Sequence, residues 1–364
     1  MHRRNLIQSL VAAPLLAAAG GASNASAAQG GGSELAAAGF SADNLGKDLL
    51  RPRRLQKGMT VGLVTPASNV WEDEDIRFAS EVVQSLGFQV KEGENLYRRS
   101  QYLAGPDEAR ARDFNAMFAD PEVDAVFCLR GGYGTPRILP LLDYAAIRNN
   151  PKVLLGYSDI TALLNAIYHR SGVITFHGPI AAQNFTDYTY SEYQKVLAHG
   201  ERPVPLGAPP PFEDAAPGRV ERENRITRFS GGRARGRLIG GNLTLMSSLL
   251  GTPYCPDFRG KILFLEDVGE APYRVDRMLT QMWLAGKLQQ VAGIAFGKFT
   301  EAETSGNTFS MEHVLRERCA DLGIPVVRGL MFGHVEDQTV VPVGAEAELD
   351  GDAGTLVLRD QVVV

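Results

Sequence analysis

Short apolar runs alternate with amphipathic stretches along the first half of the chain. Apolar runs of strand length lie at 60–64, 88–90, 125–129, 153–156 and 173–176. Between them, apolar residues recur at helical spacing over 76–86, 107–118, 138–147 and 160–169. This order of strands and helices predicts an α/β fold whose parallel sheet carries helices on both faces, with ligands at the carboxyl ends of the strands.

The pattern changes in the middle of the chain. Between residues 199 and 235, prolines and charged residues replace the periodic segments, and we interpret this stretch as a linker or lid. Beyond it the pattern predicts helices over 243–250 and 274–284 and strands over 261–265, 291–296 and 324–327. We therefore predict an N-terminal domain at 49–198 and a C-terminal domain at 236–364.

The first residues have the features of an export signal. Arg3 and Arg4 precede an apolar run at 10–19 and small residues at 25–27, so residues 1–28 are predicted to be a twin-arginine-like signal. An ordinary secretory signal that happens to contain two arginines is the alternative. The apolar run is too short to span a bilayer of about 30 Å, so we expect a periplasmic protein without a stable membrane anchor. The Gly-, Ala- and Ser-rich residues 29–48 are predicted to form a flexible tether.

Composition excludes several classes of function. The chain has 364 residues, 44% of them hydrophobic, and a formal net charge of -5, which argues against nucleic acid as a partner. Its three cysteines form no CxxC pair, and no histidine spacing is typical of a zinc site. We therefore expect neither a metal nor another cofactor. Cys128, inside an apolar run, is expected to be a buried structural thiol.

Two strand ends carry the first candidate residues. Ser158 lies in Gly156-Tyr157-Ser158-Asp159, between an apolar strand and a helix, where a hydroxyl is lifted out of the sheet. Ser158 could instead be a helix cap, and Ile160 stands where the G-x-S-x-G motif has its second glycine. The loop 130–134, with sequence Arg-Gly-Gly-Tyr-Gly, follows another strand and matches no phosphate-binding motif.

Two further strand ends could supply an acid and a base. Glu266 and Asp267 come at the end of an apolar strand, where a carboxylate is either a helix cap or a group that orients a base. His334 follows Gly333 in a loop after the 324–327 strand. Among the six histidines it is the best candidate for a general base, although a lone loop histidine is more often an ordinary surface residue.

In combination these motifs resemble one family. From about residue 57 to residue 343, the chain resembles the LD-carboxypeptidase family of serine peptidases. This family includes murein tetrapeptide carboxypeptidases and microcin C immunity proteins. The motifs that carry it, in chain order, are 130–134, 156–159, Gly240-Gly241-Asn242-Leu243, Leu265-Glu266-Asp267, 273–277 and Gly333-His334.

The resemblance implies a catalytic triad. Ser158 would be the nucleophile, His334 the base and Glu266 the residue that orients the histidine, with an acyl-enzyme as intermediate. The backbone N–H of Asp159 and one N–H from the Gly131-Gly132 turn would hold the oxyanion. The fold implied is a Rossmann-like or flavodoxin-like parallel sheet, followed by a smaller C-terminal α+β domain with a β-barrel-like sheet.

The substrate implied is a murein tetrapeptide that loses its terminal D-alanine. Arg130 or Arg137 could bind the free carboxylate, with Tyr133 beside them. The alternatives are hydrolysis of a peptidyl-nucleotide antibiotic and noncatalytic binding of muropeptides. Phe212 and Phe229 are the only aromatic residues in 199–235, which mildly favours the peptidase over a nucleotide-binding immunity protein. Members of the family often form dimers, so a homodimer is possible. The predicted export signal distinguishes this chain from the murein-recycling members of the family, which generally work in the cytoplasm.

Overall fold

The computed structural model describes residues 49–302 and 306–364. The predicted export signal and tether therefore lie outside the described residues. None of the helices that the structure describes has the length and apolar character needed to cross a membrane.

The first sheet contains five parallel strands from the N-terminal half of the chain. They are β1 (Thr60–Val64), β2 (Gln89–Glu92), β3 (Ala125–Cys128), β4 (Val153–Gly156) and β5 (Thr175–His177). Their order is β2-β1-β3-β4-β5, which is the flavodoxin-like arrangement. The strand order reverses between β1 and β3, so the loops that follow these two strands border a crevice where such folds bind ligands.

The helices of this half differ in one place from the prediction. They are α1 (Asp73–Ser85), α2 (Asp107–Ala119), α3 (Thr135–Ile138), α4 (Tyr144–Asn149) and α5 (Thr161–Ser171). The single helix predicted over 138–147 is wrong, because a 3₁₀ turn at Leu139–Leu141 separates α3 from α4. Leu142 is extended, and Asp143 caps α4 by accepting a hydrogen bond from the Ala146 N–H.

The second sheet is mixed and has eight strands. They are β6 (Val204–Leu206), β7 (Thr227–Ser230), β8 (Arg233–Asn242), β9 (Ile262–Val268), β10 (Gly293–Thr300), β11 (Val326–Arg328), β13 (Glu346–Asp350) and β14 (Thr355–Leu358). Within the described residues they pair in the row β6-β14-β13-β8-β9-β10-β11-β7, with β8 to β11 parallel. The expected α/β class, with a parallel sheet and a second sheet, is confirmed.

Four further helices accompany the second half of the chain. They are α6 (Asp187–Tyr193), extended by a π-helical turn at Gln194–His199, α7 (Leu243–Leu249), α8 (Pro272–Leu284) and α9 (Met311–Cys319). The stretch 199–235, which was expected to be a linker or lid, contributes β6 and β7 to the second sheet. It is therefore part of the folded structure as well as a connection. The predicted division of the chain into two domains stays a prediction.

One late strand returns to the first sheet. Strand β12 (Val341–Val343) pairs antiparallel with β5, so that Val341 lies opposite His177. The described residues belong to one compact unit, and a single cluster of buried apolar side chains runs through both sheets. This return brings the segment that carries His334 back beside the strand ends of the first sheet.

Candidate active site

Ser158 lies at a sharp corner after β4. Tyr157 is still extended, whereas Ser158 has φ of +64°, and a 3₁₀ turn at Ser158–Ile160 leads directly into α5. A positive φ is uncommon for a residue other than glycine and is typical of nucleophiles that are presented at the end of a strand. The backbone therefore lifts the Ser158 hydroxyl above the edge of the sheet.

His334 and Glu266 meet Ser158 at this corner. The His334 Nε2 lies 3.0 Å from Ser158 Oγ, and its Nδ1 lies 2.7 Å from Glu266 Oε2. Because an ionised carboxylate can only accept, the Nδ1 proton belongs to His334, which leaves Nε2 free to accept from the Ser158 hydroxyl. The structure thus brings together the three residues that the resemblance places in the triad.

The approach of His334 to Glu266 depends on Gly333. This glycine has φ of +117°, and a Cβ on it would lie 2.9 Å from both Cβ and Oε2 of Glu266. A side chain at position 333 would push the loop away from the carboxylate. The two residues therefore touch because the intervening backbone carries no side chain.

Glu266 is completely buried in β9. Burial raises the pKa of this carboxyl, and the hydrogen bond from His334 partly opposes the rise. Its second oxygen, Oε1, has no hydrogen-bond partner among the described residues. The neighbouring Asp267 has a different role, because it accepts hydrogen bonds from Asn242 and from both the N–H and the hydroxyl of Thr244. Asp267 therefore stabilises the N-terminus of α7.

The predicted oxyanion site lies on the other side of the serine. A Cβ on Gly131 would lie 2.8 Å from Ser158 Cβ and 3.2 Å from the backbone nitrogen of Asp159. Gly132 has φ of +102° and faces Ser68 instead. The turn at Gly131 therefore has no room for a side chain on the side that faces Ser158.

The side chain of Asp159 has a structural role. Its Oδ2 accepts from the Thr135 N–H at 2.7 Å, and its carbonyl accepts from the Thr135 hydroxyl at 2.5 Å. Burial raises the pKa of this carboxyl, and the hydrogen bonds from Thr135 and Gly134 oppose the rise. The carboxylate thus ties the serine corner to the start of α3, and only the backbone N–H of Asp159 is a candidate for the chemistry.

The three residues predicted to bind substrate have different surroundings. Arg137 forms a two-point ion pair with Asp107, with Nε 2.9 Å from Oδ1 and Nη2 2.9 Å from Oδ2. Arg130 donates to the neutral carbonyl of Asn69 at 3.1 Å and forms no ion pair among the described residues. Tyr133 is exposed. Arg130 is therefore the better candidate of the two arginines for a substrate carboxylate.

A cationic cleft beside the histidine was not predicted from the sequence. It has a volume of about 820 Å³ and reaches Val335, the residue after His334. The charged residues that line it are Arg222, Glu223, Arg225, Arg228, Lys298, Glu312 and Arg328. The five cations outnumber the two carboxylates in a chain whose net charge is negative. Only a surplus of arginine over 222–228 could have indicated it.

Lys298 connects this cleft to the loop that carries His334. Its backbone N–H donates to the Phe332 carbonyl at 3.0 Å, and its ammonium donates to the Glu223 carbonyl and the Asn224 amide oxygen. Burial lowers the pKa of this lysine, and no carboxylate pairs with it among the described residues. Its charge is therefore available to an anionic ligand.

The sequence also predicted no role for the side chains of His177 and Tyr157. The Tyr157 ring packs against the His334 ring with centroids 4.9 Å apart, and the His177 ring lies 5.9 Å from Tyr157. His177 is fully buried at the end of β5, and neither ring nitrogen has a partner among the described residues. The Tyr157 ring therefore lies in contact with the rings of both His334 and His177.

No group of three or more histidine, cysteine, aspartate or glutamate side chains in the described residues could hold a metal ion. The buried Cys128 and Cys319 lie in apolar surroundings, where burial raises the pKa of Cys319 to about 12. They are structural thiols.

Comparison with protein families gives two matches. Residues 61–178 match the LD-carboxypeptidase N-terminal domain, and residues 235–349 match the LD-carboxypeptidase C-terminal domain. Both motif-bearing halves of the chain are therefore covered, and the matched segments contain Ser158, Glu266 and His334.

Individual relatives carry related names. A probable murein peptide carboxypeptidase of Bacillus subtilis is 38% identical over 311 residues, which cover 85% of this chain and 94% of the relative. The crystal structure of muramoyltetrapeptide carboxypeptidase from Oxalobacter formigenes superposes with a TM-score of 0.71 at 32% identity, covering 83% of this chain and 99% of the other. The structure of MccF in complex with glutamyl sulfamoyl guanosine superposes with a TM-score of 0.78 at 27% identity, covering 86% and 100%.

Proposed function

The chain belongs to the LD-carboxypeptidase family, and from this premise we propose that it is a serine-type LD-carboxypeptidase that removes the terminal D-alanine of murein tetrapeptides. The observation that carries the proposal is the continuous hydrogen-bonded path from Ser158 through His334 to the buried Glu266. A hydroxyl, an imidazole and a carboxylate in this order are the parts of a nucleophile that is activated by an oriented base.

The first half of the reaction forms an acyl-enzyme. Ser158 Oγ attacks the carbonyl carbon of the scissile bond while His334 Nε2 takes the hydroxyl proton. The oxygen of that carbonyl becomes negatively charged and is held by the backbone N–H of Asp159 and one N–H of the Gly131-Gly132 turn. Each such donor contributes about 3 kcal/mol to stabilising the transition state. His334 then gives the proton to the leaving nitrogen, and free D-alanine departs.

The second half releases the tripeptide. A water molecule gives its proton to His334 Nε2 and attacks the acyl carbon, and the proton then returns to Ser158 Oγ as the ester bond breaks. Glu266 keeps the imidazole in the tautomer that accepts at Nε2 and stabilises it when it becomes an imidazolium. The low polarity around Glu266 strengthens this interaction, because fewer water molecules compete for the charge.

The cationic cleft favours a substrate peptide that carries several carboxylates. A murein stem peptide has acidic groups in addition to its C-terminus, and the five cations of the cleft lie beside the catalytic loop. Arg130 is available for the terminal carboxylate itself, on the side of the Gly131-Gly132 turn. Charge-assisted hydrogen bonds of this kind orient an anionic substrate as well as bind it.

Tandem assays of wild type and Ser158→Ala with purified murein tetrapeptide test the proposal. We expect the wild type to produce tripeptide and D-alanine, detected by mass spectrometry, and the variant to lose activity by about 10³-fold or more. A folded wild-type protein that releases no tripeptide would rule out this substrate. Equal activity of the two proteins would rule out Ser158 as the nucleophile.

Hydrolysis of a peptidyl nucleotide is the second candidate. It is supported by the superposition on MccF, whose structure contains a glutamyl sulfamoyl nucleoside. Phe229, one of the two aromatic residues in 199–235, is occupied by the Arg316 guanidinium at 4.5 Å from its ring centroid. This leaves Phe212 as the aromatic group of that stretch for a base to stack on. Offering an aminoacyl sulfamoyl nucleoside beside the tetrapeptide separates the two candidates.

We also infer that the enzyme works in the periplasm. Arg3, Arg4 and the apolar run after them support export in the folded state. Cell fractionation of the native chain and of an Arg3→Lys, Arg4→Lys double variant tests this inference. We expect the native enzyme in the periplasmic fraction and the double variant in the cytoplasm, whereas an unchanged distribution would contradict a twin-arginine signal.

A further inference from the structure

We propose that Thr189 on α6 is a positioning residue for His334, because its hydroxyl holds in place the loop that carries this imidazole. We call residues 333–339 the histidine loop. The inference rests on the proposed function and deepens it, since it names a residue outside the triad on which the geometry of the proposed base depends.

The histidine loop has little regular structure of its own. Residues 333–337 belong to no helix or strand. Two hydrogen bonds close this part of the chain on itself. The Thr339 N–H donates to the Met331 carbonyl at 2.8 Å, and the Gln338 side chain donates to the Val335 carbonyl at 2.9 Å. These bonds shape the loop without attaching it to another element, so the position of the imidazole depends on contacts with the rest of the protein.

Thr189 supplies such contacts with a single hydroxyl. This hydroxyl donates to the Glu336 carbonyl and accepts from the Gln338 N–H, with both distances at 2.9 Å. A threonine hydroxyl has one proton to donate and lone pairs to accept with, so one side chain satisfies both backbone groups. Both groups lie within four residues of His334. Thr189 therefore attaches the loop to α6 directly after the imidazole.

Two further side-chain contacts join α6 to the histidine loop. The Thr186 hydroxyl, at the N-cap of α6, donates to Asp337 Oδ1 at 2.6 Å. The Thr339 hydroxyl donates to Glu192 Oε2 at 2.8 Å. Together with the two bonds described above, each of the four consecutive residues 336–339 is hydrogen-bonded to this one short segment.

The central contact is buried. Thr189 is completely buried, and its hydrogen bond with the Gln338 N–H lies in buried surroundings. A buried N–H that loses its partner costs more than the bond itself contributes, because no water replaces the lost acceptor. Without the hydroxyl, we expect the loop to shift until this N–H finds a new partner. His334 would then move with the loop.

A shift of the histidine loop would act on the proposed chemistry. His334 has to face Ser158 at 3.0 Å and Glu266 at 2.7 Å at the same time. A displacement of about 1 Å, even from a distant change, can lower a rate about 100-fold when the reacting groups must be aligned. Groups other than the imidazole bind the substrate in the proposed function. The loss should therefore appear in kcat rather than in KM.

Kinetics with murein tetrapeptide test this split. Thr189→Val keeps the shape of the side chain and removes the hydroxyl, whereas Thr189→Ser keeps the hydroxyl. We expect kcat of Thr189→Val to fall by about 10- to 100-fold with little change in KM, and Thr189→Ser to retain most of the wild-type kcat.

Thr175→Val is the matched control. Thr175 is also completely buried, and its hydroxyl also donates to a carbonyl, that of Leu164, at 3.0 Å. Thr175 makes no hydrogen bond to the histidine loop among those of the described residues. The control variant should therefore lower the melting temperature and leave kcat unchanged.

Two further measurements report on His334 without the peptide substrate. The proton between His334 Nδ1 and Glu266 gives a far-downfield NMR resonance when this hydrogen bond is fixed. A fluorophosphonate labels Ser158 at a rate that depends on His334 taking the hydroxyl proton. Thr189→Val should weaken the resonance and slow the labelling by about tenfold or more, whereas Thr175→Val should change neither.

A second pair of variants tests the same loop where Thr189→Val does not fold. Asp337 is partly exposed, so its replacement is compatible with folding. Asp337→Ala removes the acceptor of the Thr186 hydroxyl, and Asp337→Asn keeps an oxygen that can accept. We expect labelling of Ser158 to slow by about threefold in Asp337→Ala and to stay near the wild-type rate in Asp337→Asn.

The possible results separate the two proposals. A normal kcat and normal labelling in a folded Thr189→Val enzyme would overturn the positioning role, as would equal losses of kcat in Thr189→Val and Thr175→Val. Where Thr189→Val does not fold, wild-type labelling of Asp337→Ala would overturn it. A wild type that is labelled but does not turn over tetrapeptide would refute the proposed substrate, and the labelling rates of the variants would still decide the role of Thr189.

Discussion

At the scale of single residues, the site depends on backbone positions that exclude side chains. The left-handed conformation of Ser158 costs about 1–2 kcal/mol, and the close packing of the turn at Gly131 holds the serine in place. A Cβ on Gly131 would lie 2.8 Å from Ser158 Cβ and 3.2 Å from the backbone nitrogen of Asp159, so there is no room for a side chain between this turn and the serine corner. We therefore expect the absence of a Cβ at position 131 to be required by the proposed oxyanion site.

Adding a methyl group at position 131 tests this arrangement. In Gly131→Ala the new Cβ would meet Ser158 Oγ at 3.1 Å, so we expect kcat to fall by about 100-fold with a small change in melting temperature. Kinetics with tetrapeptide and thermal unfolding measure the two effects. Gly286→Ala, at a position with open space and φ of +67°, is the control for kcat and should leave kcat unchanged, although the strained backbone lowers its melting temperature. A Gly131→Ala enzyme with normal kcat would show that the turn does not contribute to the oxyanion site.

The buried His177 predicts how stability depends on pH. Burial, and secondarily the charge of His334, lowers the pKa of His177 to about 3, from 6.5 in an unfolded chain. Between these values the unfolded chain binds a proton that the folded protein excludes. The contribution is therefore complete above pH 6.5, and the free energy of unfolding decreases as the pH falls toward 3.

Replacing the His177 imidazole should weaken the dependence of stability on pH. Between pH 6.5 and 3 the free energy of unfolding decreases as the pH falls. For His177→Phe we expect this decrease to be smaller than in wild type by up to about 1.4 kcal/mol per pH unit. Urea denaturation at a series of pH values measures it, with His199→Phe, an exposed histidine, as the control. Parallel curves for wild type and His177→Phe would show that His177 does not titrate in this way.

At the scale of elements, the cationic cleft is made by segments that are distant in the sequence. The residues after β6 and at β7 supply arginines, the end of β10 supplies Lys298, and β11 supplies Arg328. Strands β7 and β10 both pair with β11, so the three sets of cations meet at one part of the second sheet. The separate positions in the sequence gave no indication that these charges would share one cleft.

Removing the charge of Lys298 tests the role of this cleft. For Lys298→Met we expect a rise in KM for tetrapeptide of about tenfold or more, because a hydrogen bond to a charged group contributes about 1.5–3 kcal/mol. Steady-state kinetics measure this effect, and Arg235→Met, which removes a cation paired with Glu346, is the control. An unchanged KM in a folded Lys298→Met enzyme would contradict carboxylate binding in the cleft.

Predictions of individual elements succeeded where the local pattern was strong. The five parallel strands and the long helices α1, α2, α5 and α8 were found within a few residues of their predicted positions, because apolar periodicity is a local property. The helix over 138–147 failed because Pro140 and the Asp143 cap divide it. The strands β6 and β7 were missed because each has only three or four residues among prolines and charges.

At the scale of the whole molecule, β12 joins the late part of the chain to the first sheet. Its antiparallel pairing with β5 and the shared apolar core couple the two sheets. We therefore expect the full chain to unfold in one cooperative transition, with equal calorimetric and van't Hoff enthalpies. Differential scanning calorimetry checks this expectation, and two resolved transitions would show that the halves fold independently.

The sequence by itself determined most of the elements, the surplus of negative charge and, through motifs in a recognisable order, the identities of the three candidate catalytic residues. Only the tertiary structure decided that these residues meet. The Ser158–His334 hydrogen bond joins residues 176 apart, and the His334–Glu266 hydrogen bond joins residues 68 apart. The same holds for the cationic cleft. Local periodicity reports which residues face a core, whereas contacts between distant segments depend on how the sheets pack and where β12 returns.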